Sequence, residues 1–520
     1  MNVLSPLDRL ARSTALLRHP HRALRSVGAA VSLLCLAACA VGPGYRKAPL
    51  TVPDSFKEGA DWQRAKANPQ GSLSSTWWLD YHDDTLSHLI DQSLQANQSI
   101  VAAEAAYRLA RATVEADTAS LFPTVTAGIS GSRSGNGASA ATSSAGAGGA
   151  PTNLASASVS ASWELDLWGA VRRQIESAKA SAQASDAQLA GERLSIATSV
   201  ATDYFELREA DIDIAFLTQQ QQIDSRILEM TRAGFLQGTQ TNDDVLTAQD
   251  TLEVVIADLQ TTETSREQYE HAIAVLIGVP PASFTLPPRQ DYAFVTPAVP
   301  LGVPSQLLER RYDVVSAERT AAAANAKIGA AEAAFFPDLT LSAQGGFEHN
   351  TLAHLFSLPS RFWTLGPDLA GTIFDGGART AAVHQAQATY DEDVANYRAT
   401  VLTAFQNVED SLSSYNHLQQ QEQALTRVFE RNRQLFASEQ AQLIAGTASQ
   451  QSLLTQQLTL LQAEQSAKDT QALLVESSVA LIRNLGGGWQ WDDAKGAAVN
   501  VDASSSGHAA LSTASGSPSP

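Results

Sequence analysis

Four neighbouring residues in the first part of the chain have side chains that bind metals, namely Asp80, His82, Asp83 and Asp84. Carboxylate and imidazole groups are ordinary metal ligands. Consecutive residues on a loop or a first helical turn rarely converge on one point, however, and the remaining histidines show no His-Glu-x-x-His spacing. The sequence therefore indicates no metal site at these residues.

Two further stretches only partly match catalytic motifs. GISGS at 128–132 lacks the Gly-x-Ser-x-Gly spacing of a serine nucleophile, and it falls in a predicted strand. The glycine-rich run at 145–149 has no Lys-Ser/Thr after it, so it is not a phosphate-binding loop. Since no acid–base pair or cofactor motif is present either, we expect no enzymatic activity and no cofactor.

The N-terminus carries the residue that is most open to chemical modification, Cys39. Five arginines precede a short apolar run, which is typical of a secretory leader. The run ends in LAAC at 36–39, which is similar to a bacterial lipobox, and the lipobox rule implies cleavage before Cys39 and acylation of that residue. The alternative is an ordinary signal with an incidental cysteine. We expect a signal peptide over 1–38 and a lipid anchor at Cys39.

The charge of the chain excludes nucleic acid as a partner. The full sequence has a net charge of −19, and removal of residues 1–38 leaves 30 basic and 53 acidic residues, a net charge of −23. An acidic protein repels phosphate backbones. Since Cys35 lies in the leader, the mature chain also has no cysteine pair for a disulfide or a metal.

The chain contains two copies of one unit. The segments that begin at residues 91 and 305 match at a constant offset of 214, which pairs Phe122-Pro123 with Phe336-Pro337. The segments that begin at Gly238 and Gly446 match at an offset of 208. Two matches in the same order indicate a duplication. The predicted organisation is an extended N-terminal segment over 39–79, a first repeat over 80–278, a Pro-rich connector over 279–303, a second repeat over 304–488 and a flexible tail over 489–520.

Each repeat has the same predicted sequence of elements. A helix ends at LFP or FFP, because proline cannot continue it. Two strands follow, over 124–133 and 155–167 in the first repeat and over 338–348 and 362–374 in the second. A helix of about 60 residues then leads to a Gly-Thr turn and a return helix, and at 1.5 Å per residue the long helix spans about 90 Å.

Three of the four predicted strands alternate between apolar and polar residues, as in SASVSASWELDLWG at 156–169, whereas the fourth alternates less cleanly and carries Pro367. Such a strand has one apolar face, which must be covered by an apolar environment. Four strands cannot close a barrel, so either the hairpins pack on helices or several chains pool their strands in a membrane. Aromatic residues near the strand ends suit the girdles of a membrane barrel: Trp163, Trp168, Phe362, Trp363 and Phe374.

Several motifs together resemble the TolC-like outer-membrane efflux factor family, in its lipoprotein branch. They are CAVGPGY at 39–45, WWLDYHDDTL at 77–86, LFP at 121–123, WELDLWG at 163–169, FDGG at 374–377 and LGGGW at 485–489. Two departures are Tyr312, where the family usually has proline, and a long 134–152 loop.

The resemblance implies an α+β membrane protein that works as a homotrimer. Twelve strands would form an outer-membrane β-barrel, continuous with a periplasmic α-barrel of twelve coiled-coil helices. The chain would be the passive exit duct of a tripartite efflux system, in the outer membrane of a Gram-negative bacterium. Its partners would be outer-membrane lipid, a periplasmic adaptor and an inner-membrane transporter, commonly of the resistance-nodulation-division type. The rival interpretation is a lipid-anchored periplasmic coiled-coil scaffold without a channel.

The resemblance also assigns roles to the two turns. Gly238-Thr239 and Gly446-Thr447 correspond to the tips that adaptor hairpins dock onto, although a plain helix–helix turn would have the same residues. Asp243 and Asp244, with Ser452 and Thr455 in the second repeat, are candidates for a periplasmic gate. A threefold ring of carboxylates would bind cations and repel anions. Capping of the return helix is the alternative role for the two aspartates.

Overall fold

A computed structural model describes residues 41–50, 52–53, 56–58, 74–135, 151–299, 310–492 and 497–499. The predicted signal peptide and Cys39 lie outside these residues, as do residues 51, 54–55 and 59–73 of the predicted 39–79 segment and the tail after 499. The helices are α1 (Asp84–Ala96), α2 (Gln98–Ala119), α3 (Ala170–Leu236), α4 (Asn242–Leu276), α5 (Tyr312–Ala333), α6 (Ala378–Ile444) and α7 (Gln450–Asn484). The strands are β1 (Thr124–Ser134), β2 (Thr152–Leu165), β3 (Asp338–His349), β4 (Arg361–Ala370), β5 (Gln490–Asp492) and β6 (Ala497–Val499).

The duplication found in the sequence reappears in the bounds of the helices. Helix α5 begins and ends 214 positions after α2, since Gln98 corresponds to Tyr312 and Ala119 to Ala333. Helices α6 and α7 follow α3 and α4 by 208 positions, and α3 and α6 have 67 residues each. The alternation of helices and strands in two equivalent copies confirms the predicted fold class of the unit.

An acidic residue shortly before the long helix binds the start of that helix in each copy. Asp166 accepts hydrogen bonds from the backbone N–H groups of Val171 and Arg172, and its carboxylate lies 3.0 Å from the Arg172 guanidinium. Asp375 does the same for Gly377 and Arg379, with an ion pair of 2.6 Å to Arg379. Free N–H groups at a helix start favour such carboxylates, so the WELDLWG and FDGG motifs are helix-start signals.

The chain divides into two compact units, of which the first comprises residues 1–47, 110–181 and 320–393. It contains one antiparallel sheet in the order β1-β2-β3-β4. The register is continuous: Val125 pairs with Ala161, Ala161 with Ala343 and Ala343 with Leu365. Strand β4, which carries Pro367, is at the edge of the sheet within one chain, the position that proline favours. It ends at Ala370, four residues before the predicted end at 374.

The two faces of the sheet differ sharply in polarity. On one face, serine and threonine hydroxyls of β1 and β2 bond across the strands, at 2.8 Å between Thr126 and Ser160 and 2.9 Å between Ser130 and Ser156. The opposite face, which we call the apolar face, is formed by the odd-numbered positions of all four strands. Its exposed apolar side chains include Val125, Ile129, Val159, Trp163, Trp363, Leu365 and Leu369.

A short N-terminal segment, residues 41–47, is held against helices of the first unit. Val41 donates its N–H to the Trp168 carbonyl at 3.0 Å, and the Arg173 guanidinium donates to the carbonyls of Val41 and Gly42. Gly42 and Gly329 approach so closely that a Cβ on Gly42 would lie 2.3 Å from the Gly329 Cα. The segment that follows the predicted lipid anchor is therefore fixed by backbone contacts.

The second unit comprises residues 48–109, 182–319 and 394–520 and has an aromatic core. Trp77, Tyr81, Tyr204 and Phe205 are almost completely buried. Asp211 of α3 accepts from Arg208 at 2.8 Å, from Arg266 of α4 at 2.7 Å and from the Arg289 backbone N–H at 2.9 Å. The Arg208 guanidinium also donates to the carbonyl of residue 287, and the Arg266 guanidinium donates to that of residue 286. The network therefore fastens the Pro-rich connector to α3 and α4.

The start of the segment predicted to be a flexible tail is folded, which corrects that prediction for residues 489–492 and 497–499. Strands β5 and β6 pair, and Trp491 is buried against Ala187, Val315 and Trp489. Burial of a tryptophan side chain stabilises a hairpin that its Gly- and Ala-rich surroundings do not suggest.

None of the helices in the described part of the chain combines the length and apolar character that a bilayer span requires.

Candidate functional site

The two Gly-Thr turns have the same geometry in both repeats. Gly238 has φ +74° and Gly446 has φ +76°, a left-handed conformation that favours glycine at a helix end. Thr239 donates its N–H to the Gly234 carbonyl at 2.9 Å, and Thr447 donates its N–H to the Gln442 carbonyl at 2.9 Å. Each threonine hydroxyl donates to the same carbonyl as its own N–H. The turn residues are therefore fixed by contacts within each turn.

Both turns expose large apolar side chains next to their polar backbone. Leu236 and Ile444, the last residues of α3 and α6, are each 84% exposed, and Phe235 and Leu246 are also exposed. Exposed apolar side chains that cluster at one place mark interaction surfaces. The arrangement suits docking of another protein, and docking at the tips stays a prediction.

The residues after the turns cap the return helices. Thr241 is the N-cap of α4, and its hydroxyl accepts the Asp244 N–H while the Asp244 carboxylate accepts the Thr241 N–H at 2.8 Å. The hydrogen bonds that the Asp244 carboxylate accepts from Thr241, first from its backbone N–H and then from its hydroxyl, lower the pKa of Asp244. Ser449 caps α7 through the Ser452 N–H. The alternative role of Asp244, helix capping, is thus present in the structure.

The other gate candidates lie on exposed surface near these caps. Asp243 is exposed on the first turn of α4. The Ser452 hydroxyl donates to a carboxylate oxygen of Glu439 on α6, which brings an acid to the second tip that the sequence prediction did not include. Thr455 donates its hydroxyl back to the Gln451 carbonyl. A gate at these residues stays a prediction.

A row of carboxylates in the second unit was missed by the sequence reasoning. We call it the acidic seam: Asp203, Glu206, Glu209 and Asp213 on α3, with Asp469 and Glu476 on α7. One carboxylate oxygen from each of Glu209, Asp213 and Asp469 lies within 4.8 Å of the others. The spacing of 203, 206, 209 and 213 puts four acids on one face of a helix, which was a usable sequence signal.

Burial and mutual repulsion favour protonation in the acidic seam. Burial, followed by the charges of Glu476 and Asp469, raises the pKa of Glu209 to about 8. Burial and the Asp213 charge raise the pKa of Asp469 to about 7. One oxygen each of Asp469 and Glu476 is buried and makes no hydrogen bond within the described residues. The seam can therefore hold shared protons at neutral pH.

The residues considered as a metal cluster have structural roles. Asp83 is the N-cap of α1, and its other carboxylate oxygen accepts from the hydroxyls of Tyr204 at 2.8 Å and Tyr292 at 3.0 Å. His82 ends a 3-10 turn with φ +54°. Hydrogen bonds from two buried tyrosines give Asp83 a full set of structural partners.

The five predicted girdle residues do not form one set. Trp163 and Trp363 share the apolar face, and the Trp163 indole donates to the Leu121 carbonyl at 2.9 Å. Phe362 is paired with Gly346 on the polar face, so its assignment to a girdle with Trp363 is wrong. Trp168 and Phe374 lie beyond the strand ends, and Trp168 stacks on Phe336 at 4.7 Å. The sequence prediction placed Phe374 inside the fourth strand, and the end of β4 at Ala370 corrects that placement.

The chain matches the family model described as "Outer membrane efflux protein" over residues 89–279 and 303–487. It is 29% identical over 462 residues to the probable efflux pump outer membrane protein TtgC of Pseudomonas putida, which covers 88% of this chain and 95% of that relative. It is 30% identical over 479 residues to the outer membrane protein OprJ of Pseudomonas aeruginosa, with 89% and 96% covered.

Two solved structures have the same fold over most of their length. The outer-membrane channel OprN aligns with a TM-score of 0.76 and 30% identity, over 86% of this chain and 99% of that one. The MtrE outer membrane channel of Neisseria gonorrhoeae, in its open state, aligns with a TM-score of 0.73 and 27% identity, over 86% and 98%. A duplicated unit of long helices with a four-stranded sheet defines the class of outer-membrane efflux channels. This chain belongs to the outer membrane efflux protein family.

Proposed function

We propose that three copies of this chain form an outer-membrane exit duct for efflux, and that the duct passively conducts small molecules to the exterior. The three sheets would close into a barrel of twelve strands, and the long helices would form a periplasmic tunnel that continues it. Relatives carry names such as "Toluene efflux pump outer membrane protein" and "Pyoverdine export outer membrane protein". No chemical step is assigned to the chain, since transport energy would come from its inner-membrane partner.

The observation that carries this proposal is the polarity of the four-stranded sheet. Its apolar face is exposed, and β1 and β4 have no further strand beside them within the described residues. From Leu165 to Ala155, strand β2 spans about 34 Å, or about 26 Å of bilayer at a 40° tilt. This height matches the apolar band of an outer-membrane barrel. Three sheets give twelve strands, enough for an open pore.

Aromatic side chains also support the proposal that the apolar face meets the bilayer. Trp163 lies near the end of β2 that leads into α3, and Trp363 lies near the opposite end of the sheet, 78% exposed. Tryptophans at both edges of an apolar band are typical of a barrel that spans a bilayer. We therefore propose Trp163 for the periplasmic girdle and Trp363 for the outer one.

The tips are the proposed contact with a periplasmic adaptor. Exposed Leu236 and Ile444 beside the turns at Gly238-Thr239 and Gly446-Thr447 would pack against adaptor hairpins. Asp243 and Asp244, with Ser452 and Thr455, would contribute to the gate at this end. The inner-membrane transporter in this proposal is of the resistance-nodulation-division type.

Acylation of Cys39 would add a lipid anchor beside each sheet. Support comes from the segment 41–47, which begins two residues later and is fixed by Trp168 and Arg173. Each buried methylene of an acyl chain contributes about 0.8 kcal/mol to membrane binding. The barrel itself, however, would hold the protein in the membrane without this anchor.

The experiment tests whether the protein stays in the membrane without its lipid anchor. The protein is expressed behind an ordinary secretory signal with Cys39→Ser, and outer membranes are extracted with alkaline carbonate. A trimeric barrel stays in the membrane pellet, whereas a lipid-anchored scaffold loses its only attachment and appears in the supernatant. A matched form that also lacks residues 124–165 should be released in either case. Release of the Cys39→Ser protein with its strands intact would refute the duct.

A further inference from the structure

One end of the apolar face carries positively charged and polar side chains instead of apolar ones. At the end that faces the β1–β2 and β3–β4 connections, the odd-numbered positions are occupied by Arg133, Asn153, His349 and Arg361. Their parity puts them on the same side of the sheet as Val125 and Trp363, because the register has no bulge. We call Arg133, His349 and Arg361 the cationic rim, after its two arginines.

The cationic rim is unusual in so acidic a chain. The sequence has a net charge of −19, yet no aspartate or glutamate occurs between Asp117 and Glu164. Between Asp338 and Asp368 the single acid is Glu348, an even-numbered position on the polar face. Neither Arg133 nor Arg361 has an ion-pair partner within the part of the chain that the structure describes. The rim is therefore positive, with its guanidinium groups available to an anion.

The third member of the rim presents a donor. The Nδ1 atom of His349 can accept the backbone N–H of Thr351 at 3.0 Å, and in that tautomer Nε2 carries the ring proton. His354, in the same connection, lies with its ring centre 5.6 Å from that of His349. Guanidinium and imidazole N–H groups together suit the oxygens of a phosphate.

An apolar groove lies on the same face directly beside Arg361. Two rows of paired residues form its sides, one containing Val159, Gly345 and Trp363, the other containing Phe347 and Arg361. Gly345 has no side chain, so the floor of the groove is backbone. Phe356 of the β3–β4 connection packs on Phe347 at 5.6 Å and extends that wall. The groove has a volume of about 840 Å³.

We propose that the groove and the cationic rim form a binding site for a phosphorylated, acylated glycolipid of the outer leaflet, of the lipopolysaccharide type. One acyl chain lies in the groove over Gly345, and a headgroup phosphate accepts hydrogen bonds from Arg361, with Arg133 and His349 binding further phosphate oxygens. The inference rests on the proposed function, since this face meets the outer leaflet only if the sheet is part of a membrane barrel.

The combination of features selects this ligand class. A free phosphate would use the rim but not the groove, and an uncharged lipid would use the groove but not the rim. Arginine binds phosphate in a planar, two-point geometry, and burial of each methylene adds to affinity. The cations lie at the outer end of the band, opposite the end at which Trp163 lies, so the phosphate belongs to the outer leaflet.

The experiment measures lipid binding to the full-length protein in detergent by native mass spectrometry. The probes are lipopolysaccharide with a short saccharide core, the same lipid after removal of its phosphates, and phosphatidylglycerol. We expect the phosphorylated lipopolysaccharide to stay bound at concentrations at which the other two dissociate. Equal retention of the dephosphorylated lipid, or of phosphatidylglycerol, would overturn the proposal.

Two variants test the two halves of the site separately. Arg133→Gln combined with Arg361→Gln should weaken binding of the phosphorylated lipid by about tenfold or more, because two charge-assisted contacts are lost. Gly345→Leu should also weaken it, because the leucine side chain fills the groove; a Cβ at this position has its nearest neighbours at 3.8 and 4.0 Å, so the backbone tolerates the change. Arg398→Gln removes an exposed arginine from α6 and should leave binding unchanged. Unchanged binding in the first two variants would refute the site.

The same spectra separate this inference from the proposed function. They report the number of chains in each particle as well as the bound lipid. Trimers that bind no phosphorylated lipopolysaccharide would refute the lipid site and leave the duct intact. Monomers that do not insert into membranes would refute the duct itself.

Discussion

Replacement of Glu209 by glutamine should remove much of the pH dependence of the stability of this protein. Glu209 lies in the acidic seam between α3 and α7, with Asp213 and Asp469 close enough for their carboxylate oxygens to share a proton. Glutamine keeps the size of the side chain and cannot ionise. The change therefore tests the charge of Glu209 with little effect on packing.

The sign of the effect follows from the direction of the pKa shift. Burial and the neighbouring acids raise the pKa of Glu209 from 4.5 to about 8 in the folded protein. Between about pH 5 and about pH 8 the folded state therefore holds a proton that the unfolded state has already released. The stabilisation is complete at low pH and is lost as the pH rises through about 8, so the natural protein should be less stable at alkaline pH.

The expected change in the free energy of unfolding is moderate because the acidic seam is only partly buried. Each pH unit over which the folded protein keeps the additional proton changes the free energy of unfolding by about 1.4 kcal/mol, which would give about 4 kcal/mol over three units. Part of the side chain reaches water, and the neighbouring acids titrate with it, so we expect about 2 kcal/mol.

Thermal unfolding in detergent at a fixed heating rate measures this difference. Between about pH 5 and about pH 8.5 the midpoint of the natural protein should fall by about 2 to 4 °C more than that of Glu209→Gln. Glu229→Gln, at an exposed position of the same helix, serves as the control and should behave like the natural protein. If Glu209→Gln shows the same fall as the natural protein, the protonated seam does not exist.

Three further changes have expected outcomes of different kinds. Asp211→Ala leaves the Arg208 guanidinium, whose side chain is 1% exposed, without its carboxylate, and should lower the free energy of unfolding by about 3 to 5 kcal/mol in denaturant titrations. Thr241→Ala removes the N-cap of α4 and should cost about 1 kcal/mol, visible as faster hydrogen exchange in the first turn of that helix and not in α7. Leu236→Ser combined with Ile444→Ser should weaken binding to the cognate adaptor in a pull-down titration while the oligomer mass stays constant. Undiminished adaptor binding would contradict docking at the tips.

Much of the fold was predictable because its signals are local. The Pro residues of LFP and FFP end α2 and α5, and the Gly-Thr turns separate the long helices from the return helices. Strict alternation over β1, β2 and β3 predicted the strands and their faces. The duplication added a check, since each element in one repeat predicted its counterpart in the other.

The features that the sequence did not predict depend on contacts between distant residues, on the face that a strand residue occupies, or on very short strands. The acidic seam needs α3 and α7 to pack side by side, which no local pattern specifies. Phe362 was grouped with Trp363 because both lie near a strand end, although neighbouring residues of a strand point to opposite faces of the sheet. The hairpin at Trp491 was missed because its two strands have three residues each within a Gly- and Ala-rich segment.

The central claim, that separate chains pool their sheets in the membrane, is tested most directly by the native mass of the protein extracted from outer membranes. The account predicts a particle of three chains, each beginning at an acylated Cys39. A single chain or a pair of chains, in protein that is otherwise folded, would mean that the sheets do not close into a twelve-stranded barrel and would contradict the account.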